Sequence, residues 1–277
     1  MKIALIGASG QLGTDLKKVI PSDNLVALNY PDFDLTKKDN IKNQLIDINP
    51  DIVINTAAYN LVDRAEEHPD EAMAVNYHGV ENLVQAVKKL DCTLVHFSSD
   101  YVFGADKERN TPYTEDDKPG PINQYGKSKL LGEQVVQKNL EKYFLIRTAY
   151  LFGVAGPNNI IQSLMKHKQV VDDQIISPTY SLDLAKQVWQ LVQTKNYGLY
   201  HAVNQGQCSV FELAKYIHKC LNKQINLIPI KLSDLNLSAP RAKYLVLENK
   251  KLKALDLNIM RPWQETIPDY LKEKQYI

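Results

Sequence analysis

"GASGQLG", residues 7–13, sets glycines at 7, 10 and 13, directly after the apolar run "KIALIG" (2–7) and at the head of "QLGTDLKKVI" (11–20). In a chain with 12 glycines in 277 residues, chance supplies such an evenly spaced triplet only about 0.02 times, so the spacing carries information. Gly7 permits a tight turn out of a strand. Gly10 lets the backbone approach a pyrophosphate, and Gly13 lets a helix pack closely on the strand before it. The helix N-terminus adds unpaired N–H groups and a dipole that favour an anion. A dinucleotide-binding strand–turn–helix unit follows.

Outward from this turn, short β-branched runs alternate with amphipathic segments. Leu12, Leu16, Val19 and Ile20 form one helical stripe, and "NLVALN" (24–29) reads as the second strand. "FDL" (33–35) reads as a short third strand and "DNIKNQLIDI" (39–48) as a helix. "DIVINTAA" (51–58) is apolar enough for a strand buried on both faces. A long helix over 69–90, a strand at 92–99, a helix over 125–140 and a strand at 143–148 complete the pattern. This alternation predicts an α/β Rossmann fold, a doubly wound parallel sheet, with a smaller C-terminal substrate-binding lobe. The dinucleotide-binding domain spans 1–150, completed by parts of 178–205 and 250–277; segments 151–177 and 206–249 form the lobe. The stretches 100–122 and 151–180 are long for ordinary turns and read as functional loops. Helices are expected at 183–193 and 210–221, and a strand near 198–204.

Composition narrows the function classes. Lys plus Arg number 33 against 32 Asp plus Glu, so no basic field exists to hold a nucleic acid backbone. Cys92, Cys208 and Cys220 fit neither a disulfide framework nor a thiolate metal site. The six histidines lack ligand spacing, so no metal is expected; His96 reads as a hydrogen-bonded core residue, and Glu115, Asp116 and Asp117 as solvated charges. No run approaches the roughly 18 apolar residues of a membrane span, and no signal peptide opens the sequence, so a cytoplasmic protein is expected. At the end of the second strand stand Asn29 and Tyr30, neither a carboxylate for a ribose diol nor an arginine for a 2′-phosphate, which leaves NADH and NADPH both open.

Tyr-x-x-x-Lys occurs twice, at Tyr125/Lys129 and Tyr270/Lys274. About 1.4 occurrences arise by chance in this composition, so position decides between them. Tyr125 and Lys129 share one helical face just after the strand that ends in Ser98 and Ser99, at the sheet edge where such folds bind ligands. A phenol with a neighbouring ammonium is a proton donor brought toward working pH, and a hydroxyl such as that of Ser99 holds the oxygen to be protonated. Tyr270 lies in a polar tail and reads as background.

In order, "GASGQLG", "VINTAAYNLVDRAE", "VNYHGVENL", "VHFSSDYVFG", "YGKSKLLGE", "LIRTAYLFG" and "SPTYSLDLA" resemble the extended short-chain dehydrogenases, specifically the dTDP-4-dehydrorhamnose reductase branch, from residue 1 to roughly 205. The resemblance implies NADPH- or NADH-dependent reduction of the C4 ketone of dTDP-4-dehydro-L-rhamnose, for polysaccharide supply, by a protein for which a homodimer is open. It implies pyrophosphate contacts from Gly10, Gln11 and Leu12, adenosine contacts from Asp34 and Leu35, and cofactor lining by Ala57, Ala58 and Tyr59. It further implies substrate contacts from Ser99, Asp100 and Tyr150, proton donation by Tyr125, and Lys129 as partner to both Tyr125 and the cofactor ribose. Ser99 stands where Thr is usual, Tyr150 where Trp is frequent, and "SAPRAKYLVLEN" lacks the expected Arg-Pro order. A reductase or epimerase of another nucleotide sugar is the alternative enzyme. The non-enzymatic alternative resembles the regulatory subunit of methionine adenosyltransferase.

Overall fold

The computed structural model describes residues 1–156 and 160–277; positions 157–159 of the expected lobe lie outside them. In chain order the strands are β1 (Ile3–Ile6), β2 (Leu25–Leu28), β3 (Ile52–Asn55), β4 (Thr93–Ser99), β5 (Tyr143–Thr148), β6 (Leu151–Phe152) and β7 (Gln169–Val171). Then come β8 (Ile175–Ile176), β9 (Thr179–Tyr180), β10 (Gly198–His201), β11 (Cys208–Ser209), β12 (Ile228–Ile230) and β13 (Tyr244–Leu245). The helices are α1 (Gln11–Val19), α2 (Lys38–Ile48), α3 (Val62–Glu67), α4 (Pro69–Met73), α5 (Gly79–Leu90) and α6 (Gln124–Asn139). The later ones are α7 (Ile160–Lys166), α8 (Ser181–Val192), α9 (Val210–Cys220), α10 (Lys250–Ala254) and α11 (Trp263–Glu273).

The main sheet is parallel throughout, in the order β10-β5-β4-β3-β1-β2. Successive side chains leave a strand on opposite faces, and two helical layers divide them. Ile3, Leu5, Ile52, Ile54, Val95 and Phe97 pack against Leu12 and Leu16 of α1 and Leu184, Val188 and Leu191 of α8. Ala4, Ile6, Val53 and Leu94 meet Ile41 and Leu45 of α2, Leu83 and Val87 of α5, and Val136 of α6. Strands sandwiched in this way read as continuous apolar runs, which is why "IALI" and "IVIN" signal them.

Two expected elements differ. Residues 33–35 form no strand: the Phe33 N–H bonds to the Asn29 carbonyl (2.8 Å) and the Asp34 carboxylate accepts from Thr36 N and Oγ1 (2.9 and 2.8 Å). This local turn competes successfully with sheet pairing, while Phe33 and Leu35 bury themselves in the α2/α5 layer. The long 69–90 helix runs as α4 and α5 with a π turn at 74–78 between them. There Asn76 is buried, accepting from Tyr59 N (3.0 Å) and donating to Tyr59 O (2.9 Å) and Ser128 Oγ (3.0 Å). Glu115 is also not solvated; it is buried, accepting from the His201 N–H (2.9 Å) and tying the 100–122 loop to β10.

Small sheets β11-β8-β13 and β12-β7, with α7, α9 and α11, gather a second apolar cluster around Phe152, Ile176, Leu213, Trp263 and Tyr270. Two sets of contacts lock this part to the sheet. Arg241 forks onto Asp63 of α3 (2.8 and 2.7 Å), and Asn123 Nδ2 donates to Pro240 O (2.9 Å). At the other end Lys18 of α1 joins Asp15 (2.6 Å) to Glu273 of α11, the Tyr180 hydroxyl donates to Glu273 (2.5 Å), and the Ser181 hydroxyl donates to Asp15.

At the glycine turn, Gly7 has φ +76°, a region that side chains disfavour. A Cβ on Gly13 would lie 2.2 Å from the Gly7 carbonyl oxygen and 2.8 Å from Ala8 Cα, both backbone atoms that cannot swing aside. Gly13→Ala should therefore cost about 1–3 kcal/mol, seen as a lowered urea midpoint; an unchanged midpoint would mean that α1 can lift off β1 freely.

Candidate active site

In a doubly wound sheet the ligand crevice opens where the strand order reverses. Here that point lies between β1 and β3, and a cleft of approximately 1020 Å³ opens there. The loop after β1 brings Gly7, Gly10, Gln11 and Leu12 to its wall; Asp34 and Leu35 enter beyond β2, and Ala57, Ala58 and Tyr59 beyond β3. From the other half come Ser99 and Asp100 after β4, Tyr125 and Lys129 on α6, and Tyr150 after β5. Of the residues given catalytic, cofactor or substrate roles in the sequence, Gly13 stays out of the wall, because it serves the packing of α1 on the turn.

Asn123 caps α6, its Oδ1 accepting from Gly126 N (2.8 Å). Gly126 matters for a second reason: a Cβ there would lie 2.1 Å from the Tyr101 carbonyl oxygen, so the helix start is pressed against the turn after β4. That contact brings Tyr125 to the Ser99 end of β4. Tyr101 packs edge-on to Tyr125, with centroids 5.5 Å apart at 79°. Ser99 Oγ donates to Asp100 Oδ1 (2.7 Å) and accepts from Tyr101 N (3.2 Å).

Burial dominates the electrostatics. It pushes the Tyr125 phenol well above its ordinary range, helped by the nearby Asp100 charge and opposed by the Ser99 hydroxyl. The expected lowering by Lys129 is not the governing effect, since the Lys129 ammonium instead donates to the Phe97 carbonyl (2.7 Å). Burial also lowers Lys129 to about 8, with Glu133 pulling upward. Asp100 rises to about 7, chiefly by burial, and Tyr101 to about 12 for the same reason. His96, 1% exposed on β4, is driven well below its usual range by burial and by Lys129, and its Nδ1 pairs with the Asn55 amide (3.2 Å).

Sequence reading missed several groups in or beside this wall. Tyr101 stood inside a quoted motif without a role, and Thr148 brings a hydroxyl to the end of β5. Tyr150 adopts φ +42°, a conformation rare for an aromatic residue and one that sequence does not announce. Arg241 arrives from a distant segment to meet Asp63 and Tyr101.

The cleft suits a dinucleotide. Its glycine turn leaves backbone close to the opening, and three buried polar atoms, Gln11 Nε2, Ser98 Oγ and Thr148 Oγ1, have no hydrogen-bond partner among the described residues, a deficit that a polar ligand would relieve. Other sheets of this topology share the glycine turn. A tyrosine and lysine four apart on the helix that follows a serine-tipped strand set this chain apart, as a reductase-type site of the extended short-chain dehydrogenase class. Within that class the chain belongs to the family described as the RmlD substrate binding domain, which matches residues 1–276. It is 34% identical to a dTDP-4-dehydrorhamnose reductase of Mycolicibacterium smegmatis, over 97% of this chain and 84% of the relative. A crystal structure of a dTDP-4-dehydrorhamnose reductase from Bacillus anthracis in complex with NADP superposes with a TM-score of 0.93, at 35% identity, covering 99% of this chain and 100% of that one. One from Clostridium acetobutylicum does so at 0.94, with 34% identity and coverage of 99% and 100%.

In sheets of this kind the adenosine ribose is read near the end of the second strand. Asn29 Oδ1 is engaged by Ser9 N (2.7 Å), which leaves its amide N–H₂ to donate. Asn29→Asp keeps the Ser9 bond and places a negative charge there. NADPH affinity should then fall about tenfold relative to NADH, a change of about 1.4 kcal/mol, in a fluorescence titration. An unchanged ratio would place the ribose elsewhere.

Proposed function

We propose that the protein reduces the C4 ketone of dTDP-4-dehydro-L-rhamnose to dTDP-L-rhamnose, using NADPH or NADH. The observation that carries this reading is the Tyr125 phenol, buried and held protonated beside Ser99 in the same cleft as the glycine turn. Gly10, Gln11 and Leu12 would hold the pyrophosphate of a dinucleotide at the α1 N-terminus, Asp34 and Leu35 would border its adenosine, and Ala57, Ala58 and Tyr59 would line its path; when bound, it would supply hydride to the carbonyl carbon.

The reacting oxygen is the protein's concern. Ser99 Oγ donates to it and fixes its position, and Tyr125 delivers its proton as charge develops there. The high phenol pKa keeps the acid loaded at neutral pH. Lys129 stabilises the phenolate left behind and binds the nicotinamide ribose, exchanging its bond to the Phe97 carbonyl for those partners. Ser99 gives up its bond to Asp100 Oδ1 to make its contact with the reacting oxygen, and Asp100 in its protonated form donates to Ser99 Oγ in return.

The nucleotide portion of the substrate lies toward the lobe formed by 151–177 and 206–249. Supporting this, a second cavity of approximately 740 Å³ is bounded by Tyr101 and Tyr150 on the cleft side and by Val170, Gln174, Val210 and Leu237 beyond. Tyr150 presents an aromatic face at the junction. No helix among the described residues is long and apolar enough to cross a membrane, and we read the protein as a cytoplasmic biosynthetic enzyme.

Purified protein should oxidise NAD(P)H only when a 4-keto sugar nucleotide is present. Tyr125→Phe should lose at least about 100-fold in kcat with cofactor affinity retained; near-normal turnover by that variant would remove Tyr125 as the acid. Cofactor binding without turnover of any 4-keto sugar nucleotide would favour a regulatory, non-enzymatic protein. Lys129 is cationic below a pKa of about 8 and neutral above it. Activity that needs the ammonium should therefore be full at neutral pH and fall as pH rises through about 8, in a kcat/KM profile. A profile flat to pH 9.5 or so would exclude that dependence.

A further inference from the structure

We propose that Glu133 is a positioning residue for this reduction: its carboxylate, ion-paired with Arg147, supports the charge of the Lys129 ammonium beneath α6. The inference rests on the roles given above to Tyr125 and Lys129.

Residues 125, 129 and 133 lie four apart on α6 and so form one stripe, and all three are buried, at 9%, 3% and 0% exposure. Lys129 has no carboxylate within ion-pair distance among the described residues; its donor goes to a neutral carbonyl. Such an ammonium loses its hydration shell and favours the neutral amine unless a negative charge stands nearby. One helical turn further along the stripe stands Glu133.

Both Glu133 oxygens are engaged by one guanidinium, Arg147 Nε to Oε1 (2.8 Å) and Nη2 to Oε2 (2.7 Å). The two bonds make a forked, buried ion pair. The guanidinium in turn lies over the Phe103 ring, 5.0 Å from its centroid, and beside His201 Nε2 at 3.5 Å. His201 is pushed down to about 3 by burial and by Arg147, and stays neutral.

The sheet face under α6 is unusual for a parallel core. Register aligns Asn55 with His96 and, two residues further along, Ser98 with Arg147 and Arg147 with His201, so two neighbouring rows carry polar side chains where apolar residues are the rule. An ion pair buried in such a place adds little stability over a well-packed apolar pair, so a stabilising role alone does not account for it. Of the groups around Lys129, β4 brings His96, which is neutral, and the turn beyond it brings Asp100, whose charge changes near pH 7. The π turn brings Asn76, uncharged and bonded to Ser128. β5 brings Arg147, and α6 itself brings Tyr125, a neutral phenol, and Glu133. α3 brings Glu66, bonded to the Gln124 N–H at the start of α6 (2.9 Å), and Glu133 is the carboxylate that acts on Lys129 in the direction required.

The experiment compares wild type, Glu133→Gln and Glu133→Asp. Glu133→Gln keeps the shape and most of the hydrogen bonding but removes the charge. Two pH profiles are recorded: NADPH binding by nicotinamide fluorescence, and kcat/KM with a 4-keto sugar nucleotide. The alkaline limb should move to lower pH by about one unit or more in Glu133→Gln and return toward the wild-type position in Glu133→Asp. A purely structural pair would lower activity or thermal stability with the limb unmoved, and that result overturns the proposal. If Glu133→Gln does not fold, the double variant Glu133→Gln/Arg147→Met leaves no unpaired charge and is scored by the same limb. NADPH binding needs no sugar nucleotide, so a wrong substrate leaves this test intact and shows itself separately as absent turnover by wild type.

Discussion

Along β4 the backbone pairs with β3 on one side and β5 on the other, and all seven residues from Thr93 to Ser99 are withdrawn from water. A strand so enclosed leaves few places for solvent-facing chemistry; polar side chains must be internally paired or gathered at the end where the ladder stops. Most of the site follows from that constraint. Ser99 is the last residue of the strand, Asp100 and Tyr101 form the turn beyond it, and Gly126 lets α6 press so closely on that turn that Tyr125 arrives beside Ser99. The glycine turn after β1 meets the same constraint on the other half of the sheet. Both edges open into one cleft because the strand order reverses between β1 and β3.

Desolvation then sets the proton inventory. In water a tyrosine four residues from a lysine would be eased toward ionisation; here burial outweighs that and keeps the phenol neutral. The same burial lowers the lysine, so both groups are driven toward their uncharged forms. An acid that holds its proton in the resting protein, and releases it only to an oxygen gaining negative charge, suits reduction of a ketone. The cost falls on Lys129, whose charge must be supported by the surrounding groups.

The fold was legible because its determinants are local. Three glycines at fixed spacing, strands apolar on both faces and helical stripes of the 3.6 period each announce themselves within some twenty residues. Residues 33–35 misled because a short apolar–acidic–apolar run suits an edge strand as well as a turn, and only the Asp34–Thr36 bonds choose between them. Within the site, Ser99, Tyr125 and Lys129 were readable because motif and strand end coincide. What escaped depends on partners that tertiary packing brings together rather than on any periodic spacing: Asn76 gripping Tyr59 through a π turn, Arg147 forking onto Glu133, and Arg241 reaching Asp63 across 178 positions. The Lys129 contact was misjudged for a geometric reason. Its spacing from Tyr125 is fixed by the helix, but the direction of its ammonium is fixed by the Phe97 carbonyl.

The clasp of Lys18 and Asp15 onto Glu273 and Ser181 joins residues 255 and 166 positions apart. It matters for how the molecule is made. A chain leaving the ribosome N-terminus first presents the glycine turn early, yet α1 meets its last partner only after Glu273 has emerged. Until then the first helix is held by β1 and, once they have emerged, by α8 and the Ser181 hydroxyl, but lacks the Glu273 arm of the clasp. The dinucleotide cradle is therefore encoded at the beginning of the chain and completed at its end, so nascent protein of partial length holds the turn without the grip that steadies it.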